Sequence, residues 1–278
     1  MIKIAAVVVL YNPKQKNIDN INKYIDSVDK LYVIDNSEDE IIRLTSDKKI
    51  EYIKLNENKG LAYALNLGAK KAIEDKYKYL LTLDQDSNMT SKNVDKMIEF
   101  LDSTKIDKIG LISPYHDIGF DEEGKKGEVE ERLEVMTSGN IIDLDAYSII
   151  GGFKDWLFID CVDYDYCLNL NKNGFKVLRL NDVIMKHSLG DLVVHKLFGK
   201  EYPCFNHNPI RRYYIVRNTY YINQMYKDLY PDYCAHLIRV QKGQVKRIIA
   251  FEKNKIKKLK MMHKGYKDFK KGIKGKLK

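Results

Sequence analysis

Tryptophan occurs once in this 278-residue chain and cysteine four times. The cysteines (Cys161, Cys167, Cys204, Cys234) form no C-x-x-C pair and no zinc spacing with histidine. That excludes a zinc ribbon; a chain long enough for a sizeable core needs no disulfides, and a reducing, cytoplasmic setting is expected. Long apolar runs are missing as well. The N-terminal run Ile4–Leu10 breaks at Asn12-Pro13. It is too short to cross a bilayer and lacks the small-residue cleavage site of a leader, so it reads as a strand. No other stretch approaches twenty apolar residues, and no internal repeat is present. The expectation is a soluble or peripheral protein.

What is present suffices for a folded core. Hydrophobic residues make up 44% and aromatic residues 11%, with 20 tyrosines, which argues against global disorder. The formal charge of +9 conceals an asymmetry. Residues 239–278 hold 16 Lys and Arg against two acids, so the remaining body is mildly acidic. Body and tail are expected to meet different partners.

Along the first 115 residues the apolar pattern alternates between strand and helix. Strands are expected at Ile4–Leu10, Leu31–Ile34, Ile50–Leu55, Tyr79–Leu83 and Ile109–Ser113. Between them, helical spacing links Ile18, Ile21, Ile25 and Val28, then fills Leu61–Glu74 and Asn93–Leu101. Strands alternating with helices imply right-handed crossovers and a parallel, nucleotide-binding type of sheet. Past 115 the pattern changes. Tyr115–Glu131 reads as a mobile polar loop, Val135–Leu144 as a strand and Ala146–Ile150 as a short helix. Gly151-Gly152 is a break, 161–172 a helix and Phe175–Leu180 a strand; from about 208 the chain is helical and increasingly basic.

Three expected strands end in polar groups: Tyr11-Asn12, Asp35-Asn36-Ser37 and Asp84-Gln85-Asp86. Each is explicable by turn propensity, yet together they line the sheet edge where open α/β folds bind ligands. Asp84 and Asp86 repel each other unless a cation lies between them, and hard oxygen donors suit Mg²⁺ or Mn²⁺. A second acidic cluster comprises Asp160, Asp163 and Asp165. Helix capping accounts for one or two of these, and apolar neighbours would raise a carboxylate toward general-base range. His187 alone reads as a structural histidine. Arg212 and Arg217 either grip a phosphate or form a solvated basic face.

Taken in order, VVVLYNP (7–13), VIDNS (33–37), NENKGLAYALNLG (56–68), LLTLDQDS (80–87), SGNIIDLDAYSIIGGF (138–153), LFIDCVDYDYCL (157–168), HSLGD (187–191) and RRYYIVRN (211–218) resemble a family-2 glycosyltransferase of GT-A fold, in its bacterial rhamnosyltransferase branch. The resemblance implies an α/β Rossmann-like, mostly parallel sheet flanked by helices, with a GT-A domain over 1–220. Its nucleotide-sugar half would cover about 1–115, its acceptor half about 116–220, and a helical basic extension 221–278. It places Tyr11, Asn12, Asp35, Asn58, Gly60, Asn66, Asp84, Gln85, Arg212 and Arg217 on the nucleotide sugar. It assigns Asp84, Asp86 and His187 to a Mg²⁺ or Mn²⁺ ion, Asp163 to the catalytic base, and Gly151, Gly152, Trp156 and Asp160 to the acceptor. Two departures stand out: Asn169 where many relatives carry Arg, and Asp165 where they carry Glu. The Q-x-x-R-W motif of processive synthases is absent, which points to transfer of a single sugar.

The implied reaction is inverting transfer of L-rhamnose from dTDP-L-rhamnose to a hydroxyl of a lipid-linked cell-surface polysaccharide, capsule or O-antigen. Other donors, UDP-hexose or UDP-galactofuranose, remain alternatives. A sugar-nucleotide pyrophosphorylase would need a Gly-rich loop after the first strand, and VVVLYNPKQKN has none. In the tail, lysines alternate with Ile248, Ile249, Phe251, Ile256, Leu259, Met261 and Met262. That pattern suits an anionic membrane surface better than a nucleic acid, placing the enzyme on the inner face of the cell membrane. A homodimer is compatible with the sequence.

Overall fold

The computed structural model describes residues 2–39, 47–118, 128–186, 193–197 and 200–278. Two compact units emerge: unit 1 comprises 1–155 and 162–187, unit 2 comprises 156–161 and 188–278.

Among the described residues, unit 1 is an α/β sheet of eight strands: β1 (Ile4–Leu10), β2 (Lys30–Asp35), β3 (Ile50–Lys54), β4 (Tyr79–Asp84), β5 (Ile109–Asp117), β6 (Val129–Glu131), β7 (Asn140–Asp143) and β8 (Lys176–Lys186). Their order is β3-β2-β1-β4-β7-β5-β8-β6. Strands β1 to β4 pair in parallel, β7 runs against both β4 and β5, and β6 runs against β8. The continuous β-branched run of β1 is buried at every position because a central parallel strand is covered on both faces. The helices are α1 (Gln15–Ile21), α2 (Leu61–Glu74), α3 (Ser91–Ser103), α4 (Leu144–Ile150) and α5 (Val162–Lys172). Helix α2 lies against β1 so closely that a Cβ on Gly68 would stand 2.3 Å from Val7 Cγ2. One core cluster runs from Ile4 and Val8 through Leu81, Met97 and Ile141 to Met185.

Local expectations needed revision in three places. The helix expected from Ile18 through Val28 stops at Ile21 and resumes as a 3-10 turn, Ile25–Ser27. Only Asn140–Asp143 of the strand expected at Val135–Leu144 is extended and paired. The polar stretch expected as a loop from Tyr115 contains the end of β5 and all of β6, while its centre, 119–127, lies outside the described residues.

Unit 2 holds a β-hairpin, β9 (Val193–Leu197) with β10 (Lys200–Cys204), and three helices, α6 (Pro209–Tyr226), α7 (Pro231–Phe251) and α8 (Lys255–Lys270). The sequence-based division at 220 falls inside α6. Two apolar clusters hold the helices together: Phe158, Tyr213 and Tyr214, and Val216, Ile248 and Met262. Ile248 and Met262, read from sequence as part of an exposed amphipathic stripe, are thus interior residues.

Candidate active site

Strands β2 and β4 flank β1, so chain order reverses there, and the carboxyl ends of β1, β2 and β4 define a switch-point crevice in unit 1. A hydrogen-bond web fixes its floor. Tyr11 N–H donates to Gln85 Oε1 (2.9 Å), joining the ends of β1 and β4. Asn12, in the left-handed region at φ 47°, donates its N–H to Ser37 Oγ (2.8 Å), joining β1 to β2. Asp35 is buried; its carboxylate accepts from Ser37 N–H (3.0 Å) and from the Tyr52 hydroxyl. Asn36, which the sequence reading left without a role, is also buried. Its Oδ1 accepts from Lys59 N–H (2.8 Å) and its Nδ2 donates to Asn58 Oδ1 (3.2 Å), which also accepts from Gly60 N–H (3.0 Å). These bonds seat the start of α2 beside β2. The polar run following Asp35 was the available signal for Asn36 and Ser37.

The D-x-D stretch is a closed turn. Ser87 N–H donates to Asp84 O (3.1 Å), and Asp84 N–H donates back to Ser87 Oγ (2.9 Å). From α1, Asn17 Nδ2 and Asn20 Nδ2 both reach Gln85 O (3.0 and 3.4 Å). Asp84 is half-buried and Asp86 exposed. Turn formation and a paired-carboxylate edge are therefore both true of this stretch. Two carboxylates on a pinned turn are a hard-oxygen donor set that fits Mg²⁺ or Mn²⁺, ions that retain several waters. His187, the third expected ligand, lies outside the described residues. Among the described residues no three His, Cys, Asp or Glu side chains converge on one point.

Asp163 sits in the first turn of α5, where negative charge is favoured, and its Oδ1 accepts from Tyr164 N–H (3.0 Å). It is half-buried and lines a small cavity with Thr82, Asn140, Phe153, Tyr166 and Cys167. Of the lining residues, Tyr166 and Asn140 each bury one oxygen (Oη and Oδ1) with no hydrogen-bond partner among the described residues, while the cavity surface itself is mostly apolar. Its neighbour Asp165 is fully buried and clamped by Lys154 Nζ, 2.8 Å from both carboxylate oxygens.

Asn66 is buried. Its Oδ1 accepts from Tyr147 Oη (2.8 Å) and Phe153 N–H (3.0 Å), and its Nδ2 donates to Phe153 O (2.7 Å) and Asp155 Oδ1. All four amide valences are used inside unit 1, tying α2 to the segment after α4. Gly151 and Gly152 end α4 at φ 82° and 69°, and a Cβ on Gly152 would strike the Tyr147 ring at 2.7 Å. Termination of α4 explains both glycines.

Trp156, Asp160, Arg212 and Arg217 belong to unit 2. Neither arginine lies on a solvated face. Arg217 is fully buried and donates to the carbonyls of Trp156, Leu157 and Gly275 and to Asn218 Oδ1. Asn218 Nδ2 donates to the carbonyls of Leu157, Ile159 and Asp160 (2.8–2.9 Å). Together they staple a segment in which Phe158, Asp160 and Cys161 all take positive φ (69°, 62° and 62°), a strained state that persists only where surroundings enforce it. The R-N pair of RRYYIVRN thus shapes LFIDC, a link invisible at a separation of about sixty residues. Arg212 pairs with Glu252 (2.6 Å), which also pairs with Lys258 (2.8 Å). Trp156 packs edge-on against Tyr221 at 5.0 Å. Asp160 Oδ1 accepts from Arg211 Nε (3.0 Å), and burial pushes its carboxyl pKa up against the pull of Arg211.

The described architecture is that of a glycosyltransferase of GT-A fold. The glycosyl transferase family 2 model matches residues 7–154, and the chain belongs to that family, on its rhamnosyltransferase-like branch. Among curated proteins it is 29% identical over 238 residues to the dTDP-rhamnosyl transferase RfbF of Shigella flexneri, covering 78% of each chain. Solved structures share the fold. S. aureus TarS 1-349 superposes with TM-score 0.55 at 13% identity, covering 98% of this chain and 81% of that one. GalNAc-T7, solved with UDP, GalNAc and Mn²⁺, gives 0.56 at 14% identity, covering 98% of this chain and 56% of its own.

Proposed function

We propose that this glycosyltransferase transfers a single L-rhamnose from dTDP-L-rhamnose, with inversion, to a hydroxyl of a lipid-linked saccharide. The carrying observation is the switch-point edge. There a pinned D-x-D turn ends β4 and the web of Asp35, Asn36 and Asn58 ends β2, on either side of β1, and Asp163 occupies the first turn of α5 in the same unit. The likeness to RfbF supports the donor.

In this reading the base and ribose rest near Tyr11, Asn12, Asp35 and Asn58, and the diphosphate lies toward Asp84 and Asp86. Asp84, Asp86 and His187 would hold Mg²⁺ or Mn²⁺, which when bound neutralises charge developing on the departing diphosphate. Asp163 takes the proton of the acceptor hydroxyl. The resulting oxygen forms its bond to the anomeric carbon as the bond to the nucleoside diphosphate breaks on the opposite face. Arg212 and Arg217, engaged inside unit 2, act here as scaffold. The acceptor's lipid places the enzyme at the inner face of the cell membrane, served by the basic helices of unit 2. No helix among the described residues is long and apolar enough to cross a membrane.

The test is a panel of nucleotide sugars assayed with acceptor, with and without chelator, the product's anomeric configuration being read by NMR. Turnover of dTDP-L-rhamnose with inversion is expected. Retained configuration would sink the single-displacement mechanism, and preference for a UDP-sugar would overturn the donor.

A further inference from the structure

The segment 239–278 has only two acids, and both are buried: Glu252 is 3% exposed and Asp268 6%. Glu252 neutralises Arg212 and Lys258, and Asp268 accepts from Tyr213 and Lys264. Of the sixteen Lys and Arg, by contrast, only Lys258 is buried and Arg247 half-buried. The outer surface of this segment carries charge of one sign.

Its apolar residues divide just as sharply. Ile248 and Met262 are packed against Val216. Ile249 and Ile256 stay 54% and 71% exposed, and Ile256 is the most exposed large apolar side chain among the described residues. Ile249 lies in the last turn of α7 and Ile256 in the first of α8, on either side of the bend at 252–254. Lys255 and Lys257 flank Ile256 and Lys253 lies in the bend, all three exposed.

We propose that the α7–α8 bend is a membrane-contact tip. Ile249 and Ile256 enter the acyl boundary of an anionic bilayer while the surrounding lysines meet lipid phosphates. This deepens the membrane reading above by naming its residues, and it does not depend on which sugar is transferred. Charge alone would suit a nucleic acid equally. Branched aliphatic side chains, however, gain free energy in hydrocarbon and offer bases no stacking surface.

The test uses the full chain without nucleotide sugar, co-sedimented with phosphatidylglycerol/phosphatidylcholine vesicles, with pure phosphatidylcholine vesicles, and titrated with an RNA oligonucleotide. Binding to the anionic vesicles alone is expected. Ile249→Ser/Ile256→Ser should weaken it at least about ten-fold, from the lost burial of two isoleucines, with an unchanged melting temperature because both sites are exposed. A double variant that pellets like the parent would overturn the tip while leaving membrane binding intact. Failure of the parent to bind any vesicle would overturn the membrane reading itself. Salt-sensitive RNA binding without vesicle binding would give the cationic surface to nucleic acid.

Discussion

Replacing Glu252 with Gln should unfold unit 2 far more readily than a change of one atom suggests. Glu252 holds Arg212 Nη2 at 2.6 Å and Lys258 Nζ at 2.8 Å, and all three side chains are at most 2% exposed. At an effective dielectric of about 20, each charge pair near 4 Å is worth about 4 kcal/mol before desolvation. Gln keeps the volume and one acceptor but leaves two buried cations without a counter-charge, at a cost of about 3–5 kcal/mol. Unit 2 spans 156–161 and 188–278. For a unit of roughly a hundred residues that corresponds to a fall in Tm of at least about 12 °C. Calorimetry and urea titration followed by near-UV dichroism would measure it, with the unit 2 transition fitted separately. A second variant isolates the cause: adding Lys258→Met to Glu252→Gln should recover part of the loss, because one stranded charge is then gone. A loss below about 1 kcal/mol, or strict additivity of the two substitutions, would refute the reasoning.

Asp163→Asn should lower kcat by about 10²–10⁴-fold while donor affinity, measured by calorimetry, stays within about two-fold; transfer that survives would remove Asp163 from the base role. His207, which burial and the neighbouring Arg211, Arg212 and Lys258 push down to about 3, is neutral in the fold where the unfolded chain is protonated. Stability should therefore be lost as pH falls from about 6.5 toward 3, with a slope of at most about 1.4 kcal/mol per pH unit, and His207→Gln should flatten it. Gly265→Ala would place a Cβ 2.5 Å from the Tyr213 carbonyl oxygen, forcing α6 and α8 apart at about 1–3 kcal/mol, readable in the urea midpoint.

Elements written in local pattern were legible. Ile4–Leu10 and Leu61–Glu74 have the bounds that the pattern predicts, because a β-branched run and a helical apolar stripe need no partner to be recognised. Strand order was not. Nothing in N-I-I-D shows that β7 slips antiparallel between β4 and β5. The sheet-edge polar groups stand out because each follows directly on a strand. Groups whose partners are distant were opaque. The Glu252 that engages Arg212 lies forty residues away, and the Phe153 and Asp155 that saturate Asn66 lie nearly ninety away. The tail illustrates the same limit, since helical spacing shows which residues share a face but not whether another helix covers it.

The four cysteines, noted first for their scarcity, are all buried thiols outside any disulfide. Burial raises the thiols of Cys167, Cys204 and Cys234, leaving little thiolate to react. Cys167 belongs to unit 1, whereas Cys161, Cys204 and Cys234 belong to unit 2. A thiol reagent then modifies each site only when its surroundings open, so the labelling rate becomes a clock for local opening. Peptide mapping after timed exposure would report the breathing of each unit without any introduced probe, and loss of the Glu252 charge should quicken the clock of Cys204 before that of Cys167.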